Sequence, residues 1–270
     1  MKEQIKSILK KLNLYEYLKY SNLFYLYEKI LKPDVAEGKK REISFYTSFL
    51  TSCNLIFDIG ANDGHKTEAF LRISKKVVCC EPDEKNFRTL QIRFRNKRDR
   101  VLLEKLALGS SETTTNMFIH HPGSAFNTLN EKFKKVTEAD ELTKWNEKIQ
   151  FHSKRKVRLT TLDNVIAKYG RPFFIKIDVE GYELEVIKGL NQPIPFITLE
   201  CLLPEFSEEL EQIITLLSKL DTNVKFNISV HEQLILKEYI SNTEIRNFLE
   251  SFNQNHFELV VKMTAANIQV

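Results

Sequence analysis

The sequence of 270 residues is poor in cysteine, and the few it has are not arranged as ligands or disulfide partners. Its four cysteines are Cys53, Cys79, Cys80 and Cys201, and none has the C-x-x-C spacing of zinc and redox motifs. Cys79 and Cys80 are adjacent, and adjacent residues of a strand point to opposite faces, so the pair cannot belong to one metal cluster. We expect buried, reduced thiols in a cytoplasmic protein.

Long hydrophobic runs are also missing. No apolar stretch reaches the ~20 residues that a membrane-spanning helix needs, and the first residues lack the apolar core of a secretory signal. Residues 1–41 instead form an amphipathic, tyrosine-rich helical pattern. We expect this segment to pack on the domain or on a second subunit of a homo-oligomer, or to contact the inner face of the membrane peripherally.

The sequence also lacks a strong net charge of either sign. The formal net charge is only +4, which argues against nucleic acid as a partner. Basic residues do cluster at positions 93–100 and 154–158. Such runs usually form a solvated face; the alternative is that they attract an anionic acceptor or a membrane surface.

From Asn54 onwards the sequence alternates between apolar strand patterns and helical patterns. This alternation predicts one α/β domain over residues 42–270, with a parallel sheet covered by helices on both faces. A polar stretch at about 110–156 interrupts the pattern. It predicts an insertion that covers the substrate, with a strand near 116–120 and a helix over 138–149.

The clearest motif runs from Phe57 to Gly64, where an apolar strand enters a glycine-spaced turn that opens a helix. In doubly wound sheets such turns bind ligands beyond the carboxyl ends of the strands. Gly60 permits a tight turn, Gly64 permits a close approach, and Asn62 tolerates left-handed backbone angles.

A carboxylate follows the next predicted strand. Glu81 lies about twenty residues beyond the turn, where an acidic side chain can accept the two ribose hydroxyls of an adenosine cofactor. The acidic residues Asp58 and Asp63 would repel a pyrophosphate but suit the cationic sulfonium of S-adenosylmethionine (SAM). An NAD-dependent oxidoreductase or epimerase is the alternative, and it would favour a glycine in place of Asn62.

A third strand pattern, over 174–179, delivers Asp178 and Glu180 to the same edge of the sheet, and Glu200 follows the next strand. Carboxylates there can bind the cofactor's amino group, take a proton from a substrate hydroxyl or hold a divalent cation. His120 and His121 are weaker candidates for the base. A non-catalytic scaffold is a further alternative, but such a protein would have lost these acidic residues.

Together these motifs resemble the FkbM-type methyltransferases of the class I SAM-dependent superfamily. The resemblance spans about 42–263 and is carried by FDIGAN-x-G at 57–64, Glu81-Pro82, TTLD at 160–163 and IKIDVEGYE at 175–183. It implies a Rossmann-like, doubly wound sheet of seven strands with the last antiparallel, SAM as cofactor, and O-methylation of a sugar, glycan or secondary metabolite.

The resemblance also implies roles for individual residues. The expected cofactor-binding residues are Asp58, Gly60, Asn62, Gly64, His65, Thr67, Glu81 and Asp178. The expected catalytic residues are Asp178, Glu180 and Glu200. The acceptor is expected to be a small molecule or glycan, with the basic clusters favouring an anionic one.

Overall fold

A computed structural model describes residues 14–21, 24, 31, 33–139 and 148–264. Its helices are α1 (Tyr15–Lys19), α2 (Pro33–Phe49), α3 (His65–Phe70), α4 (Glu84–Arg93), α5 (Glu131–Ala139), α6 (Leu162–Tyr169), α7 (Glu183–Lys188), α8 (Ser207–Leu220) and α9 (Asn242–Glu250). Its strands are β1 (Cys53–Ile59), β2 (Ser74–Cys80), β3 (Val101–Glu104), β4 (Ala107–Leu108), β5 (Thr113–Ile119), β6 (Ser153–Thr160), β7 (Phe174–Ile177), β8 (Phe196–Leu202), β9 (Lys225–Val230), β10 (Gln233–Leu234) and β11 (His256–Lys262).

The main sheet has the order β10-β9-β11-β8-β7-β1-β2-β3. Strands β3, β2, β1, β7 and β8 run parallel to one another, and β11 is antiparallel to both of its neighbours. The strand order reverses between β1 and β7, which is where doubly wound folds place their ligands. The expected α/β class and the antiparallel last strand are therefore present.

The expected count of seven strands was wrong, because the described sheet has eight. The additional strand, β10, has only two residues and folds back on β9. The two residues between them, His231 and Glu232, both have left-handed backbone angles. Such angles match the twist of a tight hairpin but normally select glycine or asparagine, so the sequence did not signal this turn.

Successive side chains of a strand point to opposite faces, so apolar core residues lie on both faces of the sheet. Cys80 packs with one apolar cluster and Cys79 with the other, as adjacent strand residues must. Helix α2 covers the second face through Phe45 and Tyr46. The described range of this helix runs across the predicted boundary at residue 41.

The insertion contains a small second sheet of order β4-β6-β5. The predicted strand at 116–120 is present as part of β5, but the helix was misplaced: α5 occupies Glu131–Ala139. Residues 148–150 are not helical, and 140–147 lie outside the described residues. Strand β6 was missed because its basic side chains obscured an alternation in which Val157 and Leu159 are buried.

None of the described helices combines the length and apolar character needed to cross a lipid bilayer. The predicted helical pattern of residues 1–31 falls mostly outside the described residues, apart from α1.

Candidate functional site

A cleft opens at the carboxyl ends of β1, β2 and β7. It encloses about 720 Å³, including the solvent at its mouth. Of the predicted site residues, five line it: Gly60, Asn62, Glu81, Asp178 and Glu180.

The turn after β1 shapes one wall of this cleft. Gly60 has a φ of 80°, and a Cβ there would lie 1.8 Å from the Asp178 carbonyl oxygen. Only glycine allows the two strand ends to approach so closely. Asn62 has a φ of 48°, the left-handed conformation expected for it, and its backbone N–H points at Glu81.

Gly64 permits the close approach expected for it, and this approach is between elements of the fold. It precedes the first residue of α3, and a Cβ there would lie 2.5 Å from Phe94 and 2.7 Å from Leu90. Both neighbours belong to the packing of α4 against the sheet. Gly64 therefore permits close packing between elements and is not among the residues that line the cleft.

Glu81 is buried at the end of β2. One carboxylate oxygen accepts the N–H of Asn62 at 2.8 Å, and the other accepts the N–H of Asp83 at 2.7 Å. Burial raises the pKa of this carboxyl to about 8, although the two N–H donors oppose the shift. Each oxygen has about two lone pairs, so each keeps acceptor capacity toward the cleft.

Asp58 points away from the cleft, into the layer between the sheet and α3. Its Oδ2 accepts a hydrogen bond of 2.5 Å from the Thr67 hydroxyl, and Oδ1 is buried with no hydrogen-bond partner among the described residues. Burial raises the pKa of Asp58, although Lys176 partly compensates its charge. The structure thus joins Asp58 and Thr67 to each other and not to the cleft.

His65 and Asp63 also lie outside the cleft lining. The His65 ring lies 3.2 Å from the carboxylate of Glu42 on α2. Asp63 lies 3.1 Å from the Arg93 guanidinium, which compensates its charge. The selection of a cationic ligand by Asp58 and Asp63 therefore stays a prediction, and the acidic groups that line the cleft are Glu81, Asp178 and Glu180.

Three carboxylates meet at the ends of β7 and β8. We call Asp178, Glu180 and Glu200 the carboxylate trio; one oxygen of each lies within 4.8 Å of the others. Close carboxylates must share protons or neutralise their charge with a cation. Oxygen ligands at this spacing can hold a divalent ion such as Mg²⁺.

The members of the trio have different pKa values. Burial and the charges of Glu200 and Asp178 raise the pKa of Glu180 well above its usual value. Burial alone would raise the pKa of Asp178 too, but the adjacent Lys176 ammonium lowers it. Burial and Asp178 raise the pKa of Glu200, while His256 opposes that rise. One member is therefore held ionised while another binds a proton readily.

The chain matches one known family over most of its length. The family described as "Methyltransferase FkbM domain" matches residues 58–250, more than half of the chain. The chain belongs to the FkbM methyltransferase family. It is a methyltransferase, as the resemblance of its motifs predicted, and no curated protein shows significant sequence similarity to it.

Solved structures with related folds have low identity to the chain. Methyltransferase FkbM from Methylobacillus flagellatus KT is 13% identical, with a TM-score of 0.49 over 82% of this chain and 47% of that one. This chain thus matches about half the length of that protein. The O-methyltransferase from Bacillus cereus in complex with SAH is 15% identical, with a TM-score of 0.38 over 84% and 80% of the two chains. An rRNA methylase from Streptococcus thermophilus is 11% identical, with a TM-score of 0.39 over 82% and 93%.

Sequence reasoning missed two partners of the trio in this methyltransferase. Lys176 is buried and forms a 2.5 Å ion pair with Asp178. Asp178 and Asp58 raise its pKa, so Lys176 remains charged despite burial. His256, at the start of β11, lies 2.5 Å from Glu200, and that contact raises the pKa of the histidine. Lys176 and Asp178 are two positions apart in an extended segment, so their side chains point to the same face. This spacing was the sequence signal for their contact.

The insertion supports the trio from the other side. Glu180 adopts a left-handed φ of 55°, and its carbonyl oxygen accepts a hydrogen bond of 2.7 Å from the Thr128 hydroxyl. Asn130 likewise donates to the Gly181 carbonyl oxygen. The insertion thereby holds the loop after β7. His120, the weaker candidate for the base, instead lies 2.7 Å from the Gln150 carbonyl oxygen, and neither it nor His121 lines the cleft.

A second cavity lies beside the trio, between the loop after β7 and helix α8. Glu200 and His256 line it. Phe133 from α5 and Phe206 form part of its apolar wall, with ring centroids 6.3 Å apart. The trio therefore separates two spaces, with Asp178 and Glu180 on the cleft and Glu200 on the second cavity.

Proposed function

We propose that this FkbM methyltransferase uses SAM and transfers the methyl group to a hydroxyl oxygen of a sugar, glycan or secondary metabolite. The proposal rests above all on Glu81. Its two oxygens are held by backbone N–H groups and keep lone pairs toward the cleft. That is the arrangement needed to accept the paired 2′- and 3′-hydroxyls of a ribose.

The acidic lining of the cleft favours a cationic ligand. Asp178, which Lys176 holds ionised, lies across the cleft from Glu81 and is suited to a ligand ammonium group. Gly60 lets the ligand approach the backbone of the turn. When bound, SAM would supply an electrophilic methyl group on a positively charged sulfur.

Glu180 is the proposed general base, with Glu200 and Asp178 supporting it. SAM would supply the methyl group to the acceptor oxygen, and its sulfur would keep the electron pair of the broken carbon–sulfur bond. The Glu180 carboxylate would accept the proton that the hydroxyl loses. A base is most effective when its pKa lies near the working pH. Asp178 is a weaker base, because Lys176 lowers its pKa.

The reacting hydroxyl of the acceptor is proposed to lie in the cleft beside Glu180, because its oxygen must contact the methyl carbon. The second cavity borders the trio at Glu200. The lining combines aromatic and aliphatic side chains with carboxylates, Glu183 and Glu209 as well as Glu200. This favours an uncharged, hydroxylated acceptor over the anionic one that the basic clusters had indicated.

Calorimetry with S-adenosylhomocysteine (SAH) and with NAD tests the cofactor. We expect the full chain to bind SAH and not NAD. Binding of NAD alone would contradict the proposal and favour the oxidoreductase alternative. Transfer of labelled methyl from SAM to neutral glycosides, and to RNA as a comparison, then tests the acceptor, and product methyl must be on oxygen.

Metal dependence is tested in the same transfer assay. Turnover that is lost with EDTA and restored by Mg²⁺ assigns the trio to cation binding. Turnover unchanged by EDTA leaves Glu180 as base without a metal.

A further inference from the structure

A groove rich in arginine lies away from the cleft, between α1 and the outer face of α4. It encloses about 610 Å³ and is lined by Tyr17, Arg88, Gln91, Ile92, Arg95 and Arg98; we call it the basic groove. Positions 88, 91, 92 and 95 follow helical spacing, so α4 and the turn after it present them on one side. None of these residues belongs to the methyl-transfer site described above.

The charges of the basic groove are not compensated by neighbouring acids. Among the described residues, Arg88, Arg95 and Arg98 form no ion pair with a carboxylate. Arg93, on the opposite side of the same helix, shows the contrast: it pairs with Asp63 at 3.1 Å and with Glu68 at 2.9 Å. Arg93 therefore ties α4 to its neighbours, whereas no carboxylate of the described residues engages the three groove arginines.

Exposed apolar side chains border the same groove. Leu14 and Tyr17 are each 48% exposed and Leu18 is 44% exposed, although large apolar side chains usually avoid water when they lie together. The Arg95 guanidinium lies 5.8 Å from the centre of the Tyr17 ring, so the cationic and apolar parts form one surface.

We propose that the basic groove docks this methyltransferase on the headgroup layer of an anionic membrane. Guanidinium groups bind phosphate oxygens in pairs, and Arg88, Arg95 and Arg98 would take lipid phosphates. Leu14, Tyr17 and Leu18 would enter the boundary between headgroups and acyl chains, where tyrosine is favourable. A free phosphate would satisfy the arginines but would leave these apolar side chains in water.

Vesicle sedimentation with the full chain tests the docking surface. We expect binding to vesicles that contain phosphatidylglycerol, weaker binding at high salt, and little binding to pure phosphatidylcholine. The triple variant R88Q/R95Q/R98Q should bind anionic vesicles roughly 100-fold more weakly, since each basic side chain near such a surface contributes about 1 kcal/mol. Circular dichroism and SAH binding should be unchanged.

A matched control removes the same charge elsewhere. Arg155, Lys156 and Arg158 belong to the exposed basic run of β6, and R155Q/K156Q/R158Q should bind vesicles like the wild type. Equal loss in both triple variants would overturn the proposal, because binding would then follow net charge alone.

A second variant separates lipid docking from capture of a free anion. Y17S/L18S keeps the three arginines and should weaken vesicle binding while leaving the salt dependence in place. Three results would overturn the proposal: equal binding to neutral vesicles, binding of inorganic phosphate without binding of anionic vesicles, or binding of single-stranded RNA in place of vesicles.

Discussion

The two sides of the cleft are built on different principles. On the β1–β2 side, backbone geometry does most of the work, since Gly60 and Asn62 adopt left-handed angles and Glu81 is held by two N–H groups. On the β7–β8 side, ionisable groups are crowded together, and the lysine and histidine beside the trio set which carboxylates are charged. In the proposed function, the first side positions the ligand and the second side moves the proton.

The largest expected effect comes from the proton-transfer side. Glu180→Gln should lower kcat by about 10²–10⁴, the usual contribution of a general base, while SAH affinity stays near that of the wild type. The wild-type rate should rise with pH as Glu180, whose pKa is raised, loses its proton. Steady-state kinetics across pH measures both. A variant that loses SAH affinity instead would move Glu180 to the positioning side.

The matching test on the positioning side is Glu81→Gln. The amide replaces one of the two oxygens that would accept the ribose hydroxyls by an NH₂ donor, so SAH affinity should fall by roughly 100-fold. Calorimetry measures this loss. Glu84→Gln is the control, because Glu84 lies exposed in the next turn of chain and pairs only with Lys105 among the described residues. Unchanged affinity in Glu81→Gln would remove the main support for the cofactor assignment.

Asp58 sharpens the comparison, because it ends a neighbouring strand but faces a different layer. Asp58→Ala leaves the buried Thr67 hydroxyl without its acceptor and should lower the free energy of unfolding by about 2 kcal/mol. SAH affinity should change by less than about threefold, since the side chain does not line the cleft. Urea denaturation measures the loss of stability, and calorimetry measures the SAH affinity. A selective loss of SAH affinity would return Asp58 to the cofactor site.

The smallest effect concerns pH and stability. The folded pKa of Glu81, about 8, lies above its ordinary value of 4.5, so the folded state binds the extra proton between those values. Stability should therefore fall as pH rises through this window, with a slope of at most about 1.4 kcal/mol per pH unit from this group. Denaturation of Glu81→Gln should show a shallower fall than Glu84→Gln. Equal slopes would mean that burial does not raise this pKa.

Local patterns predicted the parts of the site that depend on chain direction. Strand alternation and glycine spacing located the turn at Gly60 and the carboxylates at Glu81 and Asp178, because parallel strands bring their carboxyl ends to one edge. The same reasoning grouped Asp58 with these residues. Asp58 lies within β1, however, and its side chain is on the face of the sheet that contacts α3. The motif was recognised from the sequence, but the face of the sheet on which each side chain lies was not.

Contacts between distant parts of the chain could not be predicted in this way. His256 meets Glu200 across 56 positions because β11 inserts antiparallel next to β8. Thr128 holds the Glu180 carbonyl group across 52 positions, and nothing in the polar insertion marked it. The basic residues at 93–100 also have different surroundings in the fold. Arg93 pairs with Asp63, whereas Arg95 and Arg98 line the basic groove.

By itself, the sequence determined the α/β class, the family and the set of acidic strand ends, because hydrophobic period and turn residues are local properties of the chain. Only the tertiary structure decided which carboxylates face the cleft, which are ionised and which arginines remain unpaired among the described residues. Those outcomes depend on burial and on charges brought close from remote positions, and the free energy of a buried charge is set by its neighbours in space.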